Sequence, residues 1–129
     1  MSKRAKKIGR PLLMVACLFI LLTAASLVAH AHARLDHSTP AAGSILRVAT
    51  KEVVVWFTQD LEPSFSTMLV HDSEGVRVDR EDAHVDRDNK KVMRVSLKPL
   101  AAGTYKVTWN VLSVDTHKTD GSFEFRIMN

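Results

Sequence analysis

Cysteine is almost missing from this sequence of 129 residues, because Cys17 is the only one. It lies within an apolar segment near the start, so a chain that loses this segment has no thiol. Such a chain has no disulfide framework and no thiolate to act as metal ligand or nucleophile, and its core alone must hold it together. The length suits one domain and excludes a large multidomain enzyme.

Motifs of well-marked enzyme classes are also missing. The sequence contains no Gly-rich phosphate loop, no G-x-S-x-G turn and no H-E-x-x-H helix. Asp86-Arg87-Asp88 lacks the glycine and the closing glutamate spacing of an EF-hand. These absences argue against phosphate-loop, serine-hydrolase, zinc-protease and EF-hand chemistry.

Acidic residues are absent before Asp36, which makes the charge of the chain uneven. The net charge is +4, from 18 Lys and Arg against 14 Asp and Glu, but five basic residues lie within the first ten positions. From His32 onward, 13 basic residues face 14 acidic ones. The part that is expected to fold is therefore nearly neutral, and a nucleic-acid-binding surface is not supported.

The basic start is followed by an apolar run, Leu12–Ala29, which ends in Ala29-His30-Ala31. A positive segment, an apolar segment and an A-x-A site predict a cleaved signal peptide at 1–31 and a domain at 32–129. The run is also about as long as the roughly 20 residues of a spanning helix, so an uncleaved anchor is the main alternative. A third possibility is a lipoprotein anchored through Cys17. It is disfavoured because only a short apolar stretch precedes that cysteine.

From Lys51 onward, apolar residues recur at every second position, which predicts strands rather than helices. The predicted strands are Glu52–Thr58, Phe65–His71, Met93–Leu97, Tyr105–Val111 and Phe123–Ile127. Turn signals separate them, and no long amphipathic helix pattern occurs, so we expect an antiparallel sandwich or barrel. The segment Asp79–Lys91 is dense in charges of both signs and is predicted to be a solvated loop or edge.

Histidines are the remaining candidates for chemistry, and cleavage after Ala31 would make His32 the first residue. A terminal histidine offers its amine and its imidazole to one metal ion. The amine has a reference pKa of about 7.7–8.0, so a metal can displace its proton near neutral pH. Nitrogen donors in a tetragonal arrangement suit Cu(II). The alternative is that His32 is only a polar terminus.

A second candidate is Asp115 with His117. If this stretch is extended, both side chains project to the same side and can bind one ion. The alternative is an Asp-containing turn with a surface histidine. No spacing singles out the other histidines, and the methionines are scattered, so Met68 and Met93 are expected to fill the core. The other histidines of the expected domain are His37, His71 and His84.

Both candidate segments resemble the CopC family of periplasmic copper-binding proteins. The start, His32–Gly43 (HARLDHSTPAAG), resembles the mature amino terminus of that family, and Val111–Phe125 (VLSVDTHKTDGSFEF) is the most specific match. Further matching stretches are Val55–Phe57, Leu61–Ser66 and Leu100–Trp109. The similarity spans nearly the whole predicted domain, in order.

The resemblance implies an all-β, immunoglobulin-like antiparallel β-sandwich of Greek-key topology that binds Cu(II) in the periplasm after export. It implies a metal site of His32 through two nitrogens, His117 through one, and an oxygen of Asp115 or of water. Asp115 has two roles open to it, direct ligand or a group that orients His117. Gln59 stands where some members carry a glutamate, and a Met-rich Cu(I) loop is missing, so one Cu(II) site is expected.

The function implied by the resemblance is a copper carrier or buffer in resistance, homeostasis or uptake. We expect a monomer that is not an enzyme and that passes copper to a membrane transporter of the kind associated with the family. One alternative is an oxidative enzyme with a terminal-histidine copper brace, although Asp115 would occupy a position that oxygen chemistry keeps open. The other is a metal-free interaction module.

Overall fold

The structure is a computed structural model that describes residues 32–129, so the predicted signal peptide at 1–31 lies outside the described residues. The described residues form eight strands and one short 3-10 turn, Pro63–Phe65. The strands are β1 (Leu35–Thr39), β2 (Ile45–Leu46), β3 (Glu52–Phe57), β4 (Thr67–Asp72), β5 (His84–Val85), β6 (Val92–Ser96), β7 (Gly103–Leu112) and β8 (Lys118–Ile127). Within residues 32–129, no helix has the length and apolar character needed to cross a membrane.

The strands form two four-stranded sheets, with the orders β1-β3-β6-β5 and β2-β8-β7-β4. The predicted all-β sandwich is confirmed. One short pair differs from the antiparallel pattern, because β2 runs parallel to β8. The chain leaves β1 in the first sheet and reaches the edge of the second sheet at Ile45. It therefore joins β8 as a crossing segment rather than through a hairpin, which would impose antiparallel pairing.

The core lies between the two sheets and follows the predicted alternation. Val53, Val55 and Phe57 of β3 are buried, and exposed Lys106 and Thr108 alternate with buried neighbours on β7. Each fully buried aliphatic or aromatic side chain stabilises the fold by about 1.5–3 kcal/mol relative to exposure. The wholly buried larger apolar side chains include Phe125, Leu61, Met68, Met93, Val70, Val95, Val107 and Val111. The expectation that Met68 and Met93 fill the core is confirmed.

The prediction of a solvated segment at Asp79–Lys91 is wrong at its first residue. The side chain of Asp79 has no exposed surface. Its carboxylate accepts hydrogen bonds from Arg77 and from the backbone N–H groups of Val70 and Glu81. These donors satisfy the charge, which is why burial is tolerated there. Further along the segment, β5 is an edge strand, as predicted.

Close packing of β7 on β8 depends on Gly121, which pairs with Trp109. A Cβ atom on Gly121 would lie 2.3 Å from the indole Cζ2, which is far inside van der Waals contact. The indole also packs against Phe57, at 6.0 Å between ring centroids. Gly121→Ala must therefore displace the indole, and we expect the free energy of unfolding to fall by about 1–3 kcal/mol.

Urea unfolding monitored by tryptophan fluorescence measures this effect. Ser122→Ala, at the exposed neighbouring position of the same strand, is the matched control and should change the free energy of unfolding little. Equal stability of Gly121→Ala and Ser122→Ala would contradict the proposed contact.

Candidate metal centre

The segment Ser113–His117 joins β7 to β8 as a turn, which is the alternative that the sequence left open beside an extended stretch. Thr116 has a φ of 73°, which turns the chain back before β8. The side chain of Ser113 is fully buried, and its backbone N–H donates to the carbonyl of His117 (3.0 Å). This bond closes the turn and brings residue 117 back towards residue 113.

Asp115 and His117 meet across this turn rather than along one side of a strand. The Nδ1 atom of His117 lies 3.3 Å from Oδ1 of Asp115, and the two side chains are 47% and 36% exposed. The Ser113 hydroxyl donates a hydrogen bond to the Asp115 carboxylate. That bond, followed by those from His117, holds the pKa of Asp115 below its usual value. Asp115 is therefore a carboxylate at neutral pH.

His32 lies beside His117, although the two are far apart in the sequence. Their ring centroids are 4.4 Å apart and their planes are inclined by 85°, an edge-to-face contact. In such a contact the edge of one ring meets the face of the other. Both imidazoles are exposed, so the side-chain rotation that would let them share one ion is sterically open.

The backbone next to His32 is held by two threonines from different sheets. The Thr119 hydroxyl on β8 donates to the carbonyl of Ala33 at 2.7 Å. Thr58, directly after β3, accepts from the N–H of Arg34 at 3.0 Å and donates to the carbonyl of His32 at 3.5 Å. We call Thr58 and Thr119 the threonine clamp. Between its two members, Ala33 is 1% exposed and belongs to the core.

The structure thus brings His32 next to His117 and His117 next to Asp115, without a described hydrogen bond between His32 and Asp115. In the described part of the chain, no three His, Cys, Asp or Glu side chains are already arranged to hold a metal. The assignment of these three residues as ligands stays a prediction. The donor set of two imidazoles and one carboxylate nevertheless suits a borderline divalent ion.

The other histidines of the described chain lie apart from this group. His37 stacks on Trp56 at 4.3 Å between ring centroids and pairs with Asp36 at 2.8 Å. His84 Nδ1 lies 2.8 Å from the carbonyl oxygen of Asp82. His71 pairs across the second sheet with Lys106 on β7. None of these three shares a described contact with His32 or His117.

Sequence reasoning missed the residues that support the candidate ligands. Ser113 and the threonine clamp carry no metal-binding signature, because hydroxyl groups of this kind occur throughout the chain. One signal was available: Thr119 follows His117 by two positions, and residues at this spacing share a side where the chain is extended. The partner of Thr58 could not be inferred, because it depends on how the two sheets pack.

Comparisons with known proteins agree with this fold and show the family of the chain. A CopC domain model matches residues 35–128. The copper transport protein CutJ of Bacillus subtilis is 35% identical over 98 residues, which cover 75% of this chain but 18% of CutJ. The chain thus spans less than a fifth of that relative.

Two further matches cover most of this chain and most of the matched protein. Copper resistance protein C of Pseudomonas syringae pv. tomato is 32% identical over 108 residues, covering 79% of this chain and 85% of that protein. The crystal structure of CopC from Methylosinus trichosporium OB3b aligns with a TM-score of 0.70 and 31% identity, covering 74% of this chain and 93% of that one.

Proposed function

The chain belongs to the CopC family and has a copper-related function, and we propose that it is a periplasmic Cu(II) carrier or buffer. In this role it would serve copper resistance, homeostasis or uptake. We include in the proposal that residues 1–31 are a signal peptide and that cleavage after Ala31 leaves His32 as the amino terminus. The proposed domain then covers residues 32–129.

The contact between His32 and His117 is the observation that carries this proposal. The ring centroids of the exposed His32 and His117 side chains, which are far apart in the sequence, lie 4.4 Å apart. Nδ1 of His117 lies 3.3 Å from Oδ1 of Asp115. A structural role does not require two histidines at the surface to meet. Nitrogen donors from two imidazoles and a terminal amine are ligands that Cu(II) prefers.

In the proposed site, His32 supplies its amine and imidazole, His117 supplies one imidazole nitrogen, and Asp115 or water supplies an oxygen. The Asp115 carboxylate lies against Nδ1 of His117, which leaves Nε2 as the nitrogen free for the ion. This contact favours Asp115 as the group that orients the imidazole and raises its basicity. Gln59 supplies no carboxylate at the position where some family members carry a glutamate, and Met68 and Met93 are buried. Both observations support a single Cu(II) site.

Transfer to a membrane copper transporter is the partner role that we propose, with the protein itself a monomer and not an enzyme. Two exposed apolar side chains support a docking surface next to the metal site: Val114 precedes Asp115 and is 48% exposed, and Phe65 is 64% exposed. The loop that carries Phe65 is tied to the Val114 turn by the bond from Val114 N–H to the Asp60 carbonyl (3.0 Å). In CutJ, the corresponding region is part of a much longer copper transport protein.

The proposal predicts that the chain starting at His32 binds one equivalent of Cu(II) and that His117→Ala weakens binding by about 30-fold. Even changes in groups that only support metal ligands lower affinity by about 10–100-fold. We expect the loss to stay within that range because His32 would retain its two-nitrogen chelate. Titration with Cu(II) in competition with a chelator of known affinity measures the change.

His84→Ala is the matched control, since His84 is also exposed but lies on the edge strand β5. Its affinity for Cu(II) should equal that of the parent chain. Equal losses in His117→Ala and His84→Ala would indicate unspecific binding, and the absence of any Cu(II) binding by the parent chain would refute the proposed function.

A further inference from the structure

We propose that the threonine clamp consists of positioning residues, which hold the amino-terminal segment so that His32 stands beside His117. The inference rests on the proposed copper site and adds to it the device that makes a chain terminus usable as a ligand. The described hydrogen bonds of both threonine hydroxyls go to backbone groups of residues 32–34 and not to an imidazole. Both act on the backbone carbonyls and N–H groups around Ala33.

Thr119 is the more consequential member of the clamp. Its hydroxyl donates to the carbonyl of Ala33 at 2.7 Å, the shortest bond that the segment makes to the second sheet. Thr119 is partly buried, so water competes less for this bond than at an exposed site. It also lies two residues after His117, so one candidate ligand directly precedes β8 and the first residues of β8 anchor the other.

Thr58 holds the same segment from the first sheet. Its backbone N–H donates to the carbonyl of Arg34 at 2.9 Å, and its hydroxyl accepts from the N–H of Arg34 at 3.0 Å. The same hydroxyl donates to the carbonyl of His32 at 3.5 Å. Hydrogen bonds thus reach the peptide groups on both sides of Ala33, whose methyl group is buried in the core.

The clamp would favour metal binding because a terminus is normally the least ordered part of a domain. A free terminal histidine would lose conformational entropy when it closes on a metal held by His117, and this loss weakens binding. A terminus that is ordered before the metal arrives does not lose that entropy upon binding. The clamp also ties residue 33 to residue 119, so movement of the start of β8 shifts both imidazoles together.

Thr119→Val tests the inference, because valine keeps the branched shape and removes only the hydroxyl. We expect the Cu(II) affinity of the chain starting at His32 to fall about tenfold, as for other groups that orient metal ligands. We also expect a changed electron paramagnetic resonance spectrum, since His32 would approach the ion differently. Thr119→Ser restores the hydroxyl and should restore the affinity and the spectrum. Thr108→Val, on the exposed face of β7, is the matched control.

Hydrogen exchange of the metal-free chain tests the clamp independently of copper binding. In Thr58→Val, the backbone N–H of Arg34 loses its acceptor, and its hydrogen exchange should become faster than in Thr108→Val. In Thr119→Val, the same N–H should also exchange faster, because the segment loses its bond to the second sheet.

The outcomes distinguish this inference from the proposed function. If the parent chain binds Cu(II) and Thr119→Val matches it in affinity, spectrum and exchange, the clamp is refuted and the copper function stands. If the parent chain does not bind Cu(II), the proposed function fails, while faster exchange of the Arg34 N–H in both threonine variants would still support the clamp as the device that orders this segment. Weaker binding in Thr119→Val that Thr119→Ser does not rescue also refutes the role of the hydroxyl.

Discussion

One extra residue ahead of His32 should lower the Cu(II) affinity of a chain that starts at His32 by at least about 100-fold, the upper end of the loss seen when supporting groups are removed. The extension converts the terminal amine into a peptide nitrogen, so the two-nitrogen chelate of His32 is lost. The amine is the ligand that only cleavage can create. Cu(II) titration of the chain starting at His32 against the extended chain measures the effect.

Two controls make this result specific. A residue added after Asn129 changes the chain length equally but should leave the affinity unchanged. Mass spectrometry of the exported protein establishes its first residue, which we expect to be His32. A start at Arg34 would remove the histidine and refute the site, while a start at His30 would place His32 third and create a different Cu(II) geometry. Unchanged affinity in the extended chain would refute the amine as ligand.

Asp79→Ala should cause the largest loss of stability, about 2–4 kcal/mol, because the backbone N–H of Val70 and the partly exposed guanidinium of Arg77 both lose a wholly buried acceptor. The Asp79 side chain bonds to Val70 N–H at 2.8 Å on β4, while its backbone pairs with Leu97 beyond β6. One residue therefore ties the second sheet to the first. Its removal leaves the N–H groups of Val70 and Glu81 and the guanidinium of Arg77 without this acceptor. Urea unfolding measures the change.

Asp79→Asn keeps the shape and one acceptor and should lose less stability than Asp79→Ala. Asp88→Ala, an exposed carboxylate in the same loop region, is the matched control and should change the free energy of unfolding by less than about 0.5 kcal/mol. If Asp79→Ala is as stable as Asp88→Ala, the proposed tie between the sheets is wrong.

The stability provided by Asp79 should depend on pH in a defined direction. Burial raises the pKa of its carboxyl group, but the hydrogen bonds from Arg77 and from the N–H groups of Val70 and Glu81 outweigh burial, and the pKa falls below its ordinary 3.8. A lowered pKa in the folded state means that the contribution is complete above the unfolded value and is lost as pH falls through the folded value. The difference between the parent chain and Asp79→Ala should therefore be constant near neutrality and shrink below about pH 4.

Strands β3, β4, β6 and β7 were predictable to within a few residues because their signal is local, whereas β8 begins five residues before its predicted start and β1 and β5 were not predicted as strands. Alternation of apolar and polar residues reports which side of a strand is buried, as for Val53, Val55 and Phe57. The parallel pair of β2 and β8 was not predictable, since two residues carry no periodicity. The burial of Asp79 was also unpredictable, because the charges around it indicate solvent unless the crossing of the chain between the sheets is known.

The candidate ligands were identified from the sequence, but their arrangement was not. The sequence left two arrangements open for Asp115 and His117, an extended stretch or an Asp-containing turn, and the structure has the turn, which is closed by Ser113. A positive φ at Thr116 is required for that turn, and threonine gives no local signal for it. The choice between the two arrangements therefore could not be made from the sequence.

By itself, the sequence determined the basic and apolar start, the near neutrality and lack of cysteine of residues 32–129, the two-layered β fold and the residue types available to copper. These features depend on composition and on short-range periodicity, which can be read directly from the sequence. Only the tertiary structure decided that His32 lies beside His117, that Thr58 and Thr119 bond to the backbone around Ala33, and that Asp79 joins the two sheets. Such contacts join residues far apart in sequence, so they exist only once both sheets have closed on the common core.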